Sequence, residues 1–195
     1  MPVAREIGLP GDPEAWAGVG FAPGAPVGPV RMRAGAAHLE IGVEGLAAER
    51  PDGLAIVAAD GPAAEPGAHP NGAGAVDHVV ALTDDMTRTL AALEAAGLEL
   101  RRTREPPEAP ARQAFLHLGA LILELVEVPD RSPSLWGLVV VLADLDATAR
   151  ELAPLVGAPK DAVQPGRRIA TVRHEAGLPT ALAFMTPRPQ RSPAA

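Results

Sequence analysis

Glu124 and His78 are ionisable residues set inside largely apolar runs. Glu124 lies in LILELVE, residues 121–127, and His78 lies in VDHVVAL, residues 76–82. Burying an isolated carboxylate raises its pKa or demands a partner, because water no longer solvates the anion. A carboxylate tuned upward in this way suits a general base that takes a proton from a carbon next to a carbonyl. Glu124 can therefore serve as a base, a ligand or a hydrogen-bond acceptor, unless an arginine such as Arg112, Arg167 or Arg168 simply pairs with it. His78 also admits two readings, a hydrogen-bonded structural histidine or a polar contact to a ligand.

The neighbourhood of Glu124 supplies further candidates. If Gly119 and Ala120 form a two-residue turn, Leu118 faces Leu121, and counting back sets Phe115 opposite Glu124 and His117 opposite Ile122. Side chains alternate across a strand, so Gln113, Phe115 and His117 share a face with Glu124. Farther on, Gln164-Pro165-Gly166 reads as a turn, after which Arg167 and Arg168 enter a strand. One of these two arginines at most points at a ligand, where a guanidinium can clamp a carboxylate or carbonyl bidentately. The candidate ligand-binding set is His78, Gln113, Phe115, His117, Gln164, Arg167 and Arg168, with Glu124 the candidate catalytic residue.

The elements that must position these residues form a repeat. A β-branched strand at 76–82 is followed by Asp84 and Asp85 as capping residues, then Met86, Leu90 and Leu93 at helical spacing, then Gly97 as a stop. Three short strands follow at 98–103, 113–118 and 121–128. A shift of 59 residues finds the pattern again: a strand at 138–142, a cap at Asp144, Leu145, Ala149, Leu152 and Leu155, a stop at Gly157, and a closing hairpin of 169–173 with 180–185. The repeat predicts a duplicated βαβββ unit in an α+β fold. A third, weaker copy is expected at 1–60, with a strand at 4–8, a helix begun by Asp12-Pro13-Glu14 and a hairpin of 30–33 with 37–43. The expected organisation is therefore residues 1–60, a Pro/Gly/Ala linker at 61–74, a domain at 75–187 (modules 75–129 and 135–187) and a disordered tail at 188–195.

Composition narrows the function classes. The 195 residues are 47% hydrophobic, yet no run approaches the roughly 20 apolar residues needed to cross a bilayer. The start shows no basic stretch followed by an apolar core, which predicts no signal peptide and a cytoplasmic location. Absence of Cys removes disulfides and thiol chemistry. A net charge of −7 and 3% aromatic residues argue against a nucleic-acid partner. There is no phosphate-cradling G-x-x-x-x-G-K-[ST] loop, no G-x-G-x-x-G and no G-x-S-x-G elbow.

Taken together, HVV in an opening strand, the helix start DDMTRTL, its exit AAGLEL and the closing strand LILELVEVP resemble the vicinal oxygen chelate superfamily, over about residues 75–187. That superfamily holds glyoxalases, bleomycin-resistance proteins and extradiol dioxygenases. The resemblance implies paired modules curled into half-open mixed β-barrels, with metal ligands on the first and last strands of each. By position His78 and Glu124 match the ligands of the first module, while Gly137 and Ala183 stand at their counterparts in the second. Two side chains hold a first-row metal only weakly, so the expectation is a divalent metal weakly held or none tightly bound. The resemblance further implies a small organic ligand, with lyase, isomerase or dioxygenase chemistry if the protein is catalytic and ligand sequestration if it is not. An odd third copy would leave strands seeking a partner, which favours a homodimer.

Overall fold

Strand β1 (Val3–Pro10) leads into helix α1 (Pro13–Gly18), whose cap Asp12 accepts a hydrogen bond from the Glu14 amide at 2.9 Å and whose first position is proline. Strands β2 (Arg31–Ala36), β3 (Glu40–Glu44) and β4 (Ile56–Ala58) follow. The computed structural model describes residues 1–22, 24–105 and 111–189, so of the tail expected at 188–195 only Arg188 and Pro189 are described.

The expected hairpin of 30–33 with 37–43 does not form. In the four-stranded sheet, ordered β2-β1-β3-β4, β1 lies between the two, parallel to β2 and antiparallel to β3. The reason is burial. Met32 pairs with Ile7, Ile7 with Ile41, and Ile41 with Ile56, giving one apolar row across all four strands. All four residues are buried, and a β2–β3 hairpin would break that row. The βαβββ order is present at the N-terminus, but its strand pairing differs from that of the modules below.

The first module comprises β5 (Ala73–Thr83), α2 (Met86–Ala95), β6 (Glu99–Arg104), β7 (Gln113–Leu118) and β8 (Leu121–Glu127). The second comprises β9 (Ser134–Leu142), α3 (Leu145–Glu151), β10 (Lys160–Asp161), β11 (Arg168–Thr171) and β12 (Ala181–Met185). Asp85 and Asp144 cap their helices as expected, each accepting from a backbone amide three residues on at 2.9 Å. The repeat extends to the ladders. β5 and β8 run parallel with His78 opposite Ile122 and Val80 opposite Glu124, and β9 and β12 with Gly137 opposite Ala181 and Val139 opposite Ala183. Each pair in the second ladder is the first advanced by 59 residues.

The modules join edge to edge through antiparallel β5 and β9, giving one mixed sheet ordered β10-β11-β12-β9-β5-β8-β7-β6. The sheet is open rather than a closed barrel. On its outer face Ala114, Leu116, Leu118, Leu121, Leu123 and Leu125 are buried, and they share one apolar core with residues of the N-terminal sheet. Phe21 packs on Phe184 with ring centroids 6.1 Å apart, and a Cβ on Gly119 would meet Val3 at 2.8 Å. The N-terminal sheet thus covers the outer face, leaving the inner face for Gln113, Phe115, His117 and Glu124. No helix among the described residues is long and apolar enough to cross a membrane.

Candidate functional site

The inner face holds a cleft with two adjoining lobes, of about 380 Å³ and about 640 Å³, sizes that suit a small organic molecule. His78, Arg102, Phe115, Glu124, Gln164 and Pro165 border both lobes. His117 and Arg167 line the smaller and Gln113 the larger. Arg168 is not brought to the cleft: it faces the other way, as strand alternation requires, and its Nη1 lies 2.6 Å from Asp146 Oδ2 on α3.

Asp77 lines the cleft although the sequence did not single it out. Strict alternation would turn Asp77 and His78 to opposite faces, yet both line the cleft. The β5–β9 ladder shifts register between Val76 and His78, and such an irregularity re-aims a side chain. A second shift, between Leu100 and Arg102 in the β6–β7 ladder, accompanies the presence of both Arg101 and Arg102 on the cleft wall. The legible signal was the residue type: Asp77, like Glu124, is a carboxylate inside an apolar strand.

Four ionisable side chains then form a chain of contacts. Arg167, buried at 4% exposure, places Nη1 2.8 Å from Asp77 Oδ1, while its Nε and Nη2 donate to the Thr186 carbonyl at 2.9 and 2.8 Å. Asp77 Oδ2 lies 2.9 Å from His78 Nδ1, and His78 Nε2 lies 3.4 Å from Glu124 Oε2. Burial alone would raise the Asp77 pKa, but hydrogen bonds from His78 and Arg167 outweigh it and hold the group down at about 2. An ionised Asp77 can only accept, so Nδ1 of His78 carries a proton and Nε2 is the nitrogen turned to Glu124.

Glu124 shifts the opposite way. Burial pushes its carboxyl above the usual range, and interactions with His78, Arg102 and Arg104 reverse this only in part. None of the arginines that might have paired with it does so. Arg167 is held by Asp77, Arg168 by Asp146, and Arg112 lies 3.6 Å from Glu127. Beside Glu124, Phe115 carries the Arg102 guanidinium 4.4 Å above its ring centroid. Gln113 places a buried Oε1 with no hydrogen-bond partner among the described residues, so an acceptor awaits a donor in the larger lobe.

The metal implied by the resemblance does not fit these residues. Among the described residues no three His, Cys, Asp or Glu side chains are arranged to hold an ion. The ladders put Gly137 and Ala183 at the positions equivalent to His78 and Glu124, and neither offers a donor atom. A Cβ on Gly137 would already meet the Ala181 carbonyl at 2.7 Å. His117 pairs with Ile122, two residues from the Phe115–Glu124 pair, and does not complete a ligand set. Elsewhere His69 is structural, with Nδ1 accepting from the Ala22 amide at 3.1 Å and Nε2 3.0 Å from the Pro26 carbonyl.

No family model matches the chain, and no curated protein matches it. Solved structures do. A methylmalonyl-CoA epimerase from Mycobacterium tuberculosis is similar with a TM-score of 0.51 and 18% identity, over 61% of this chain and 91% of that one. A hypothetical protein from Bacillus halodurans is similar with a TM-score of 0.50 and 16% identity, over 60% of this chain and 97% of the other.

Proposed function

We propose, from the premise that this chain carries the vicinal oxygen chelate (glyoxalase-like) fold, that its cleft binds a small organic molecule and moves a proton at a carbon next to a carbonyl. This is an isomerase-type reaction, and a similar structure with an epimerase name accords with it. The observation that carries the reading is the contact of Glu124 Oε2 with His78 Nε2 at 3.4 Å, on the wall common to both lobes. Glu124 takes the proton through Oε1, which accepts no hydrogen bond from the described residues, and the resulting carboxyl group returns it to the enolate at another atom, which restores the carboxylate and balances the isomerisation. Its raised pKa makes it a stronger base than a solvated carboxylate. His78, with Nδ1 held by Asp77, turns Nε2 toward the Glu124 carboxylate at 3.4 Å. The Arg104 guanidinium and the Gln113 Nε2–H, both from residues of the larger lobe, supply the donors for the carbonyl oxygen on which negative charge develops. No step requires a metal.

A second reading is ligand sequestration without catalysis, and one observation favours it. The repeat sets Gly137 and Ala183 where the first module has His78 and Glu124, so acid–base groups line one half of the cleft only. Proton exchange in D2O separates the readings. With 2-oxobutyrate, acetoacetate and methylmalonyl-CoA as probes, loss of the α-proton signal in NMR spectra should be accelerated for at least one probe. Glu124→Gln should slow that exchange about 100-fold or more. Binding without exchange for every probe would favour sequestration.

A further inference from the structure

The cleft has a charge opposite to that of the chain. The protein carries a net charge of −7, yet Arg101, Arg102, Arg104, Lys160, Arg167 and Arg188 line the two lobes, against Asp77, Glu124 and Asp161. Arg167 is matched by Asp77, and Arg101 donates to Glu99 at 2.9 Å. Among the described residues Arg102, Arg104 and Lys160 pair with no carboxylate. Arg188 has only the distant edge of Asp77, at 3.9 Å, which Arg167 already occupies at 2.8 Å. Unmatched cations around a concave site focus a positive potential and raise the local concentration of anions.

The two lobes differ in their other walls. The smaller presents Arg102 and Arg188 with His117 and the Phe115 ring. Stacking on Phe115 limits the freedom of the Arg102 guanidinium, so little order remains to be imposed when an anion arrives. The larger lobe includes Val163, Ile169 and Met185, an apolar surface for a carbon body, and the buried unpaired Oε1 of Gln113.

We infer that the ligand is an organic acid: its carboxylate or phosphate lies against Arg102 and Arg188 in the smaller lobe, its apolar body fills the larger lobe, and Glu124 stands at the junction. This rests on the proposed function for the meaning of the junction, where the reacting carbon would lie. The positive potential of the cleft does not depend on proton transfer.

Calorimetric titration at a constant ionic strength of about 0.15 M, where exposed pairs are screened within about 8 Å, tests it with four probes of one chain length: hexanoate, hexyl phosphate, hexanamide and hexylamine. The acids should bind at least ten-fold more tightly than the amide, with the amine weakest, and the order of hexanoate and hexyl phosphate identifies the preferred acid group. Arg102→Ala combined with Arg188→Ala should weaken the acids about ten-fold and leave the amide unchanged. Arg188→Ala alone, in the terminal segment outside the sheet, should weaken them without altering the unfolding midpoint. Equal binding of acid and amide, acid binding indifferent to the variants, or binding of none of the four would overturn the inference. Acid preference retained by a protein that exchanges no α-proton would leave it standing and remove the proton-transfer reading; exchange without acid preference would do the reverse.

Discussion

Arg167 Nη1 stands 2.8 Å from Asp77 Oδ1, so the turn leading into β11 of the second module is tied to β5 of the first. The pair is buried and lies beside His78. One carboxylate therefore has two tasks. It neutralises a buried guanidinium between modules and holds the imidazole that faces Glu124.

This pairing makes stability depend on acid pH. The Asp77 pKa is lowered from 3.8 to about 2 in the folded chain, so its contribution is full above about pH 4 and is lost as pH falls through 2. That lowering corresponds to about 2 kcal/mol. Urea unfolding of wild type should lose about that much between pH 5 and pH 2, beyond the loss shown by Asp77→Asn. Identical profiles for the two proteins would contradict the assignment.

Glu124 has the opposite sign. Its pKa is raised by burial, so the folded state binds this proton more tightly than the unfolded state, and stability declines as pH rises from the unfolded value through the folded one. Glu124→Gln keeps the shape and removes the buried charge. Its unfolding midpoint should equal that of wild type at pH 4 and exceed it at pH 8. A midpoint lower than wild type at pH 8 would show that the carboxylate stabilises the fold.

Gly137 has no room for the ligand that the repeat would place there. A Cβ would stand 2.7 Å from the Ala181 carbonyl oxygen and 2.8 Å from Ala181 Cβ, on the adjacent strand. Gly137→Ala should cost about 1–3 kcal/mol in urea unfolding, and Gly137→His should not create a metal site. A stable histidine variant that binds Co2+ tightly would refute this explanation of the missing ligand.

The N-terminal segment is fastened to the first module by charge as well as packing. Asp52 accepts from Arg88 Nε at 3.0 and 3.1 Å and from the Thr89 hydroxyl, at the start of α2. Asp52→Ala should lower the urea unfolding midpoint only modestly, as loss of an exposed ion pair does, while leaving ligand binding in the cleft unchanged, because Asp52 is on neither lobe's wall. An Asp52→Ala protein with altered ligand affinity would show that the segment shapes the cleft.

The duplicated modules were legible because their signals are local: Asp85 and Asp144 as caps, apolar strands, and a constant offset that the ladders reproduce. The hairpin register from Gly119-Ala120 likewise placed Phe115 against Glu124 by counting alone. The N-terminal pairing was not legible, since the choice between a β2–β3 hairpin and two strands flanking β1 depends on the Met32–Ile7–Ile41–Ile56 row, a tertiary matter. Asp77 and Arg101 escaped because register shifts next to them accompany neighbouring residues on the same wall, against the alternation that sequence reading assumes.

In the proposed reaction Glu124, set beside His78 and Asp77, moves a proton without help from a metal. The most direct measurement is the rate of α-proton exchange in D2O for chelator-treated protein, before and after adding Co2+, Mn2+ or Ni2+. The rate should be unchanged by any of the ions and should fall about 100-fold in Glu124→Gln. Exchange that vanishes on chelation and returns with a metal would contradict the account.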